Sequence, residues 1–207
     1  MSLEKSLVKY ASAPWGTYSP NVFGDDERIV QYPDDLKVGD VLLLWGGEDI
    51  ATEMYGEPAV HTWSDEMSRR DTLEKNLFVR NAELGNLTVG VCRGAQLVCA
   101  VSGGKLFQHI EHPGQHLMEC DDGIMRWSNS VHHQMMRPEG TDHHMIAWTR
   151  QLSPVHLTAD GDVKTEIEPE VVYFKKTRAL AIQGHPEFVN KGHPFRRWSR
   201  ELVERFL

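Results

Sequence analysis

The chain has 207 residues, 40% of them hydrophobic, and 22 basic against 30 acidic side chains give a formal charge of −8. That length suits one domain, residues 1–207, around a single core, and the ordinary composition excludes a mostly disordered chain. A net acidic chain without a long Lys/Arg run is a poor match for a phosphate backbone, so no nucleic-acid partner is expected. No stretch reaches the ~18 consecutive apolar residues of a membrane span, and no membrane partner is expected. Met1 to Tyr10 mixes Glu4, Lys5 and Lys9 with its apolar residues and lacks the apolar centre of a secretion signal. Cys92, Cys99 and Cys120 therefore read as reduced thiols in a cytoplasmic protein.

In chain order, a short strand is expected at Leu7 to Tyr10, then a long turn-rich loop from Ala11 to Asp26. Arg28 to Tyr32 suits a short strand. The continuous apolar run Val41 to Trp45, ended by Gly46-Gly47, suits a strand buried on both faces. A helical period then runs from Asp65 to Leu84, with Leu73, Leu77, Arg80 and Leu84 on one face and Gly85 placed as a C-cap. Leu87 to Val91 is a second buried strand, and Ala95 to Ser102 a helix stopped by Gly103-Gly104. Further strands are expected at Met145 to Thr149, Val155 to Leu157, Glu170 to Lys175 and Arg178 to Gln183. Phe195 to Leu207 closes the chain as an amphipathic helix. This order predicts an α/β fold: a mostly parallel central sheet flanked by helices, with a smaller antiparallel extension.

Gly90-Val91-Cys92-Arg93-Gly94 falls where a strand becomes a helix. Flanking glycines permit a tight, strained turn that lifts the cysteine out of the sheet edge, beside free N–H groups that favour negative charge. Such a thiol needs a proton shuttle with an orienting carboxylate. Gln183-Gly184-His185-Pro186-Glu187 offers both, because residues two apart on a strand share a face. Gly46-Gly47 supplies backbone N–H groups that, with the N–H of Arg93, can hold a developing oxyanion.

These segments, in this order, resemble the class I glutamine amidotransferase superfamily, and within it the γ-glutamyl-γ-aminobutyrate hydrolase branch. The similarity runs from about Leu42 to Glu187. It rests on Trp45-Gly46-Gly47-Glu48-Asp49 with Tyr55-Gly56-Glu57-Pro58, and on Arg70-Asp71-Thr72-Leu73-Glu74. It rests further on Gly90 to Gln96 with Gly103 to Gln108, on Asn129-Ser130-Val131-His132-His133-Gln134, and on Asp160-Gly161 followed by Ile182 to Glu187. The resemblance implies Cys92 as nucleophile, His185 as general base and acid, and Glu187 as its orienter, with Gly47 and Arg93 forming the oxyanion hole. It implies that Gly46, Gln96, Ser130, Val131 and His132 hold the substrate, glutamine or a γ-glutamyl amide. A γ-glutamyl thioester resolved by water would release glutamate and ammonia or an amine. Two departures stand out. The region before Val41 is short for the branch, leaving the substrate rim open on one side. Gly184 replaces an aromatic residue usual before the histidine, which widens the expected pocket.

The histidines His109, His112 and His116, with the pairs His132-His133 and His143-His144, raise the question of a metal. Adjacent histidines on a strand point to opposite faces, and no H-E-x-x-H or paired C-x-x-C spacing is present, so neither metal nor cofactor is expected. Arg69 and Arg70 read as a solvated helix face, Cys99 as core and Cys120 as a surface-turn thiol. Trp15 and Tyr18 suit either a substrate lid or loop anchors. The resulting expectation is an amidotransferase-type glutaminase that hands ammonia to a separate synthetase partner. The alternatives are a self-sufficient hydrolase of small γ-glutamyl amines and a non-catalytic binding module of the same fold.

Overall fold

The computed structural model describes residues 8–60, 66–112 and 114–207. Its centre is set by the two continuous apolar runs. Asp40–Leu44 (β3) and Leu87–Val91 (β4) lie parallel, Leu42 opposite Thr88 and Leu44 opposite Gly90. Lys9–Ser12 (β1) pairs with β3, and Glu27–Ile29 (β2) with β1, both parallel. On the other flank Ala179–Ile182 (β14) joins β4, also parallel. Beyond it the sheet turns antiparallel through Glu168–Phe174 (β13), His143–Thr149 (β10), Gln115–Cys120 (β7) and Arg126–Asn129 (β8). The nine-stranded order is β2-β1-β3-β4-β14-β13-β10-β7-β8. Small sheets of Lys105–Phe107 (β5) with Met135–Arg137 (β9), and of His109–Ile110 (β6) with His156–Thr158 (β11) and Gly161–Asp162 (β12), cover one end. The expected α/β class holds, with the antiparallel extension nearly as wide as the parallel part.

Alternation along the central strands divides the core. Leu42 and Leu44 pack with Leu77 and Phe78 of α1 (Arg69–Glu83) and with Leu97 and Val98 of α2 (Arg93–Val101). Val41, Leu43 and Trp45 face the other way, with Phe195, Trp198, Leu202 and Val203 of α3 (Pro194–Phe206). Each strand therefore buries both faces, which is why these runs carry no polar alternation. No helix among the described residues is long and apolar enough to cross a membrane.

Several expectations change. The N-terminal ends of the first strand and first helix, Leu7 and Asp65, lie outside the described residues. The buried face of α1 is Asp71, Glu74, Leu77, Phe78 and Asn81, rotated from the leucine face read in sequence. Three of those five are polar, because Asp71 and Glu74 receive the Arg93 guanidinium and Asn81 Nδ2 donates to Leu87 O and Thr88 Oγ1. Cys120 is buried at the end of β7, not on a surface turn. Strands β5 to β9 and β12 are short or polar and gave no periodic signal. Residues 13–26 connect two parallel strands without a helix and are anchored by Val22 and Phe23, which sink into the core, and by Tyr18, which stacks edge-on against Trp45.

Gly94 packs α2 against β3 so closely that a Cβ there would lie 2.3 Å from Leu44 O. Gly94→Ala is therefore expected to cost about 1–3 kcal/mol through overpacking against backbone that cannot yield, measured as a lowered denaturant midpoint.

Candidate active site

Cys92 is the single residue between β4 and α2, and its backbone is forced to φ 50°, ψ −107°, a conformation L-residues rarely adopt. Its N–H donates to Ile182 O at 2.8 Å and its carbonyl accepts from Gln96 N at 3.0 Å, so sheet and helix hold the bend from both sides. The two flanking glycines serve close approach, since a Cβ on Gly90 would sit 2.4 Å from Gly94 O. Although only 6% exposed, Cys92 borders a cavity of about 160 Å³.

His185 and Glu187 follow β14, in a turn stiffened by Pro186. His185 Nδ1 donates to Glu187 Oε1 at 2.7 Å. The His185 backbone is held by Asn129 at the end of β8, whose Oδ1 accepts from His185 N at 2.7 Å while its Nδ2 donates to His185 O at 3.0 Å. The ring stacks flat on Phe188, 4.3 Å between centroids. Burial alone would push the imidazole's pKa down. The Cys92 sulfur and the Glu187 carboxylate outweigh it and raise it to about 10, so His185 holds its proton at neutral pH. Nε2 is buried and makes no hydrogen bond of proper geometry to the nearby sulfur, a bond that commonly tightens only when substrate binds.

Glu187 is also fixed from the early loop. Thr17 Oγ1 donates to Glu187 Oε1 at 2.6 Å and accepts from Gly46 N at 3.0 Å. One hydroxyl thus ties the carboxylate to the glycine loop after β3. That loop is secured on its other side by Arg70, whose Nη2 donates to Trp45 O at 2.9 Å and Gly46 O at 3.1 Å. Arg70 Nε meets Glu74 Oε1 at 2.9 Å, and Glu74 and Asp71 both pair with the buried Arg93. Arg70 is accordingly a structural cation facing the loop, not part of a solvated face.

The fold gathers Gly47, Cys92, Gln96, Val131, His132 and His185 on one cavity, with Thr17, Asp49, His133, Gln134 and Phe188 completing its wall. Arg93 begins α2 beside Cys92, so its N–H precedes the helical ladder. Arg93 also borders an adjoining groove of about 740 Å³ with Gly47, Asp49, Arg69 and His133. Gly46 lies behind the wall, its N–H and carbonyl occupied by Thr17 and Arg70. Ser130 is buried beside the cavity and its N–H donates to Gly114 O. Among the described residues, Asp49 Oδ2, Ser130 Oγ, His132 Nε2, Gln134 Oε1 and Nε2, and His185 Nε2 are buried without a protein partner. Unspent polar groups at this density suit a small ligand rich in donors and acceptors. Burial, then the neighbouring His112, holds His132 well below the usual histidine range; its Nδ1 donates to Gln134 O at 2.9 Å, leaving Nε2 an acceptor.

The pocket is not widened at Gly184. A Cβ there would lie 2.6 Å from Ser128 Oγ and 3.0 Å from Phe195 Cζ, so β8 and α3 fill the space that an aromatic side chain would take. Thr17 and the orienting role of Asn129 were not legible in sequence. Thr17 carries no motif, while Asn129 stood inside a recognisable segment without a chemical reason of its own.

The Peptidase C26 family model matches residues 22–187. The glutamine amidotransferase-like protein YvdE of Lactococcus lactis is 26% identical over 183 residues, covering 78% of this chain and 70% of that protein. Protein NtpR of Enterococcus hirae is 25% identical over 178 residues, covering 74% and 69%. In structure, a GMP synthase component from Thermoplasma acidophilum superposes with TM-score 0.59 at 15% identity, covering 96% of this chain and 92% of its own. A glutamine amidotransferase from Thermotoga maritima gives TM-score 0.56 at 13% identity, covering 96% and 85%. With the family model spanning both the glycine loop and the His-Pro-Glu turn, this chain belongs to the Peptidase C26 family and has the class I glutamine amidotransferase fold.

Proposed function

We propose that this protein hydrolyses the γ-amide of glutamine through a γ-glutamyl thioester on Cys92 and passes the ammonia to a separate synthetase. The observation that carries the reading is the convergence of a strained cysteine and an Nδ1-anchored imidazole on one cavity lined with unpaired polar atoms. The Cys92 sulfur attacks the side-chain carbonyl carbon, and the carbonyl oxygen takes the negative charge between the Gly47 and Arg93 N–H groups. Collapse of the tetrahedral adduct breaks the C–N bond as His185 gives its proton to the departing nitrogen. Neutral His185 then takes a proton from water, whose oxygen attacks the thioester, releasing glutamate and regenerating the thiolate. Glu187, held by Thr17, keeps the imidazole aligned through both halves. Gln96 and the Ser130 to His132 segment hold the amino-acid end of the substrate. Fold relatives that include a GMP synthase component and PurLQS support ammonia transfer between proteins.

A second reading is favoured by the groove of about 740 Å³ that shares Gly47, Asp49 and His133 with the cavity. It has room for a leaving amine larger than ammonia, with the exposed Arg69 placed to meet an anionic end. That would make the protein a self-sufficient hydrolase of γ-glutamyl amines.

Glutamate release from glutamine and from γ-glutamyl amines separates the two. Cys92→Ala is expected to lower kcat/KM by about 10⁴-fold or more, and Glu187→Gln by about 10²–10⁴-fold. A 6-diazo-5-oxo-norleucine adduct on Cys99 or Cys120 instead of Cys92 would refute the assignment. Equal background release by wild type and Cys92→Ala, with no gain on adding a synthetase, would leave only a binding module.

The pH profile follows from His185. Its folded pKa is raised, so the protonated form that serves the leaving nitrogen persists from neutral pH and is lost as pH climbs through about 10. The alkaline limb of kcat/KM is expected near that value and should move to lower pH in Glu187→Gln; an unmoved limb would detach His185 from Glu187.

Thr17→Val removes one bond to Glu187 and one from Gly46 while keeping the side-chain shape. Steady-state kinetics should show kcat/KM down by about ten-fold, the equivalent of one hydrogen bond, with Thr17→Ser close to wild type.

A further inference from the structure

Behind the segment that carries His132, the fold assembles a second polar cluster that the proposed reaction does not use. His112, in the turn after β6, His116 on β7 and Glu170 on β13 each bring one ligand atom to a common point, all within 4.8 Å of one another. His116 Nε2 lies 2.9 Å and His112 Nε2 3.7 Å from Glu170 Oε1. Two donors bound tetrahedrally at ~2.0–2.1 Å to one ion stand about 3.3–3.4 Å apart, so the observed pair brackets the needed separation.

The charge balance points the same way. Glu168 and Glu170 are both 0% exposed, and their ion-pair partners among the described residues are imidazoles alone: His112, His116 and His156. Two carboxylates shut away from solvent, with neither lysine nor arginine against them, are costly to bury unless positive charge joins them. His112 shows the lack most plainly. Its Nε2 faces Glu168 Oε2 at 3.2 Å and Glu170 Oε1 at 3.7 Å, and a single N–H cannot serve both. Glu168 is itself fixed by Leu152 N, Ser153 N, Thr149 Oγ1 and His156 Nε2, and Glu170 Oε2 accepts from Ser128 Oγ. Such outer bonds orient a carboxylate as metal sites require.

We infer that His112, His116 and Glu170 form a zinc site, with Glu168 beside it as the remaining oxygen within reach. Two imidazole nitrogens and a carboxylate oxygen are a borderline donor set that favours Zn²⁺ over Ca²⁺ or Mg²⁺. The expectation of no metal rested on ligand spacing along the chain. Here the carboxylate comes from β13, more than fifty positions after the histidines, and only sheet pairing makes the set. The ion would fasten the turn after β6 to β7 and β13, directly behind His132, whose ring is 5.4 Å from that of His112.

The test uses the full chain, stripped with chelator, re-exposed to ZnCl₂ and desalted. Metal analysis should find about one Zn²⁺ per chain, with a higher thermal midpoint than the stripped protein. Glu170→Gln keeps the shape and a carbonyl acceptor but removes the charge, and retained metal should fall at least about ten-fold. His112→Ala/His116→Ala should abolish it, whereas Cys92→Ala should retain it in full, which excludes the Cys92–His185 pair as the ligand set. X-ray absorption should show nitrogen and oxygen donors without sulfur. No Zn²⁺ above background in wild type, full retention in Glu170→Gln, or sulfur bound to the metal would each overturn the site and leave the carboxylates with their imidazole partners alone.

Discussion

The structure depends on one constrained backbone, that of Cys92. A non-glycine residue outside the usual φ/ψ wells costs roughly 1–3 kcal/mol and persists only where its surroundings over-determine it. Here they do. Before it, β4 is pinned between β3 and β14; after it, α2 starts at once and packs onto Leu44 through Gly94. The sulfur is thereby directed off the sheet edge toward the cavity, with the open end of a helix beside it. Cys99, seven residues on, is fully buried in the core on the other side of the sheet, where burial raises its thiol's pKa to about 12.

Around that bend, polar groups replace the apolar contacts a core would normally use. Arg93 sends its guanidinium back under the elbow to Asp71 and Glu74, and Glu74 in turn holds Arg70 against the glycine loop. Elbow and loop, which carry the two N–H groups proposed to hold an oxyanion, are thus joined through a charged cluster on α1. Breaking such a cluster strands a buried charge, and its value here is positional more than energetic. This explains why α1 turns a partly polar face inward despite having leucines to spare.

The early loop has an analogous part. Residues 13–26 contain no regular structure, yet Phe23 and Tyr18 seat them on Trp45 and so bring Thr17 between Glu187 and Gly46. Before β3 the site is lined by coil, and at Thr17 that coil carries a hydroxyl that links Glu187 to the glycine loop.

The sequence by itself determined the alternation of buried strands and helices, the placement of Cys92 between a strand and a helix, and the pairing of His185 with Glu187. Each is a local property: an apolar run, a glycine spacing, two residues on one side of a turn. It could not determine Thr17, Asn129, the inward face of α1, or the gathering of His112 and His116 with Glu170. Those contacts join residues up to 170 positions apart, and the side chains concerned are polar, so neither hydrophobic period nor motif marks them. Only the tertiary structure decided them, because a buried polar group takes its meaning from the partner that folding brings to it.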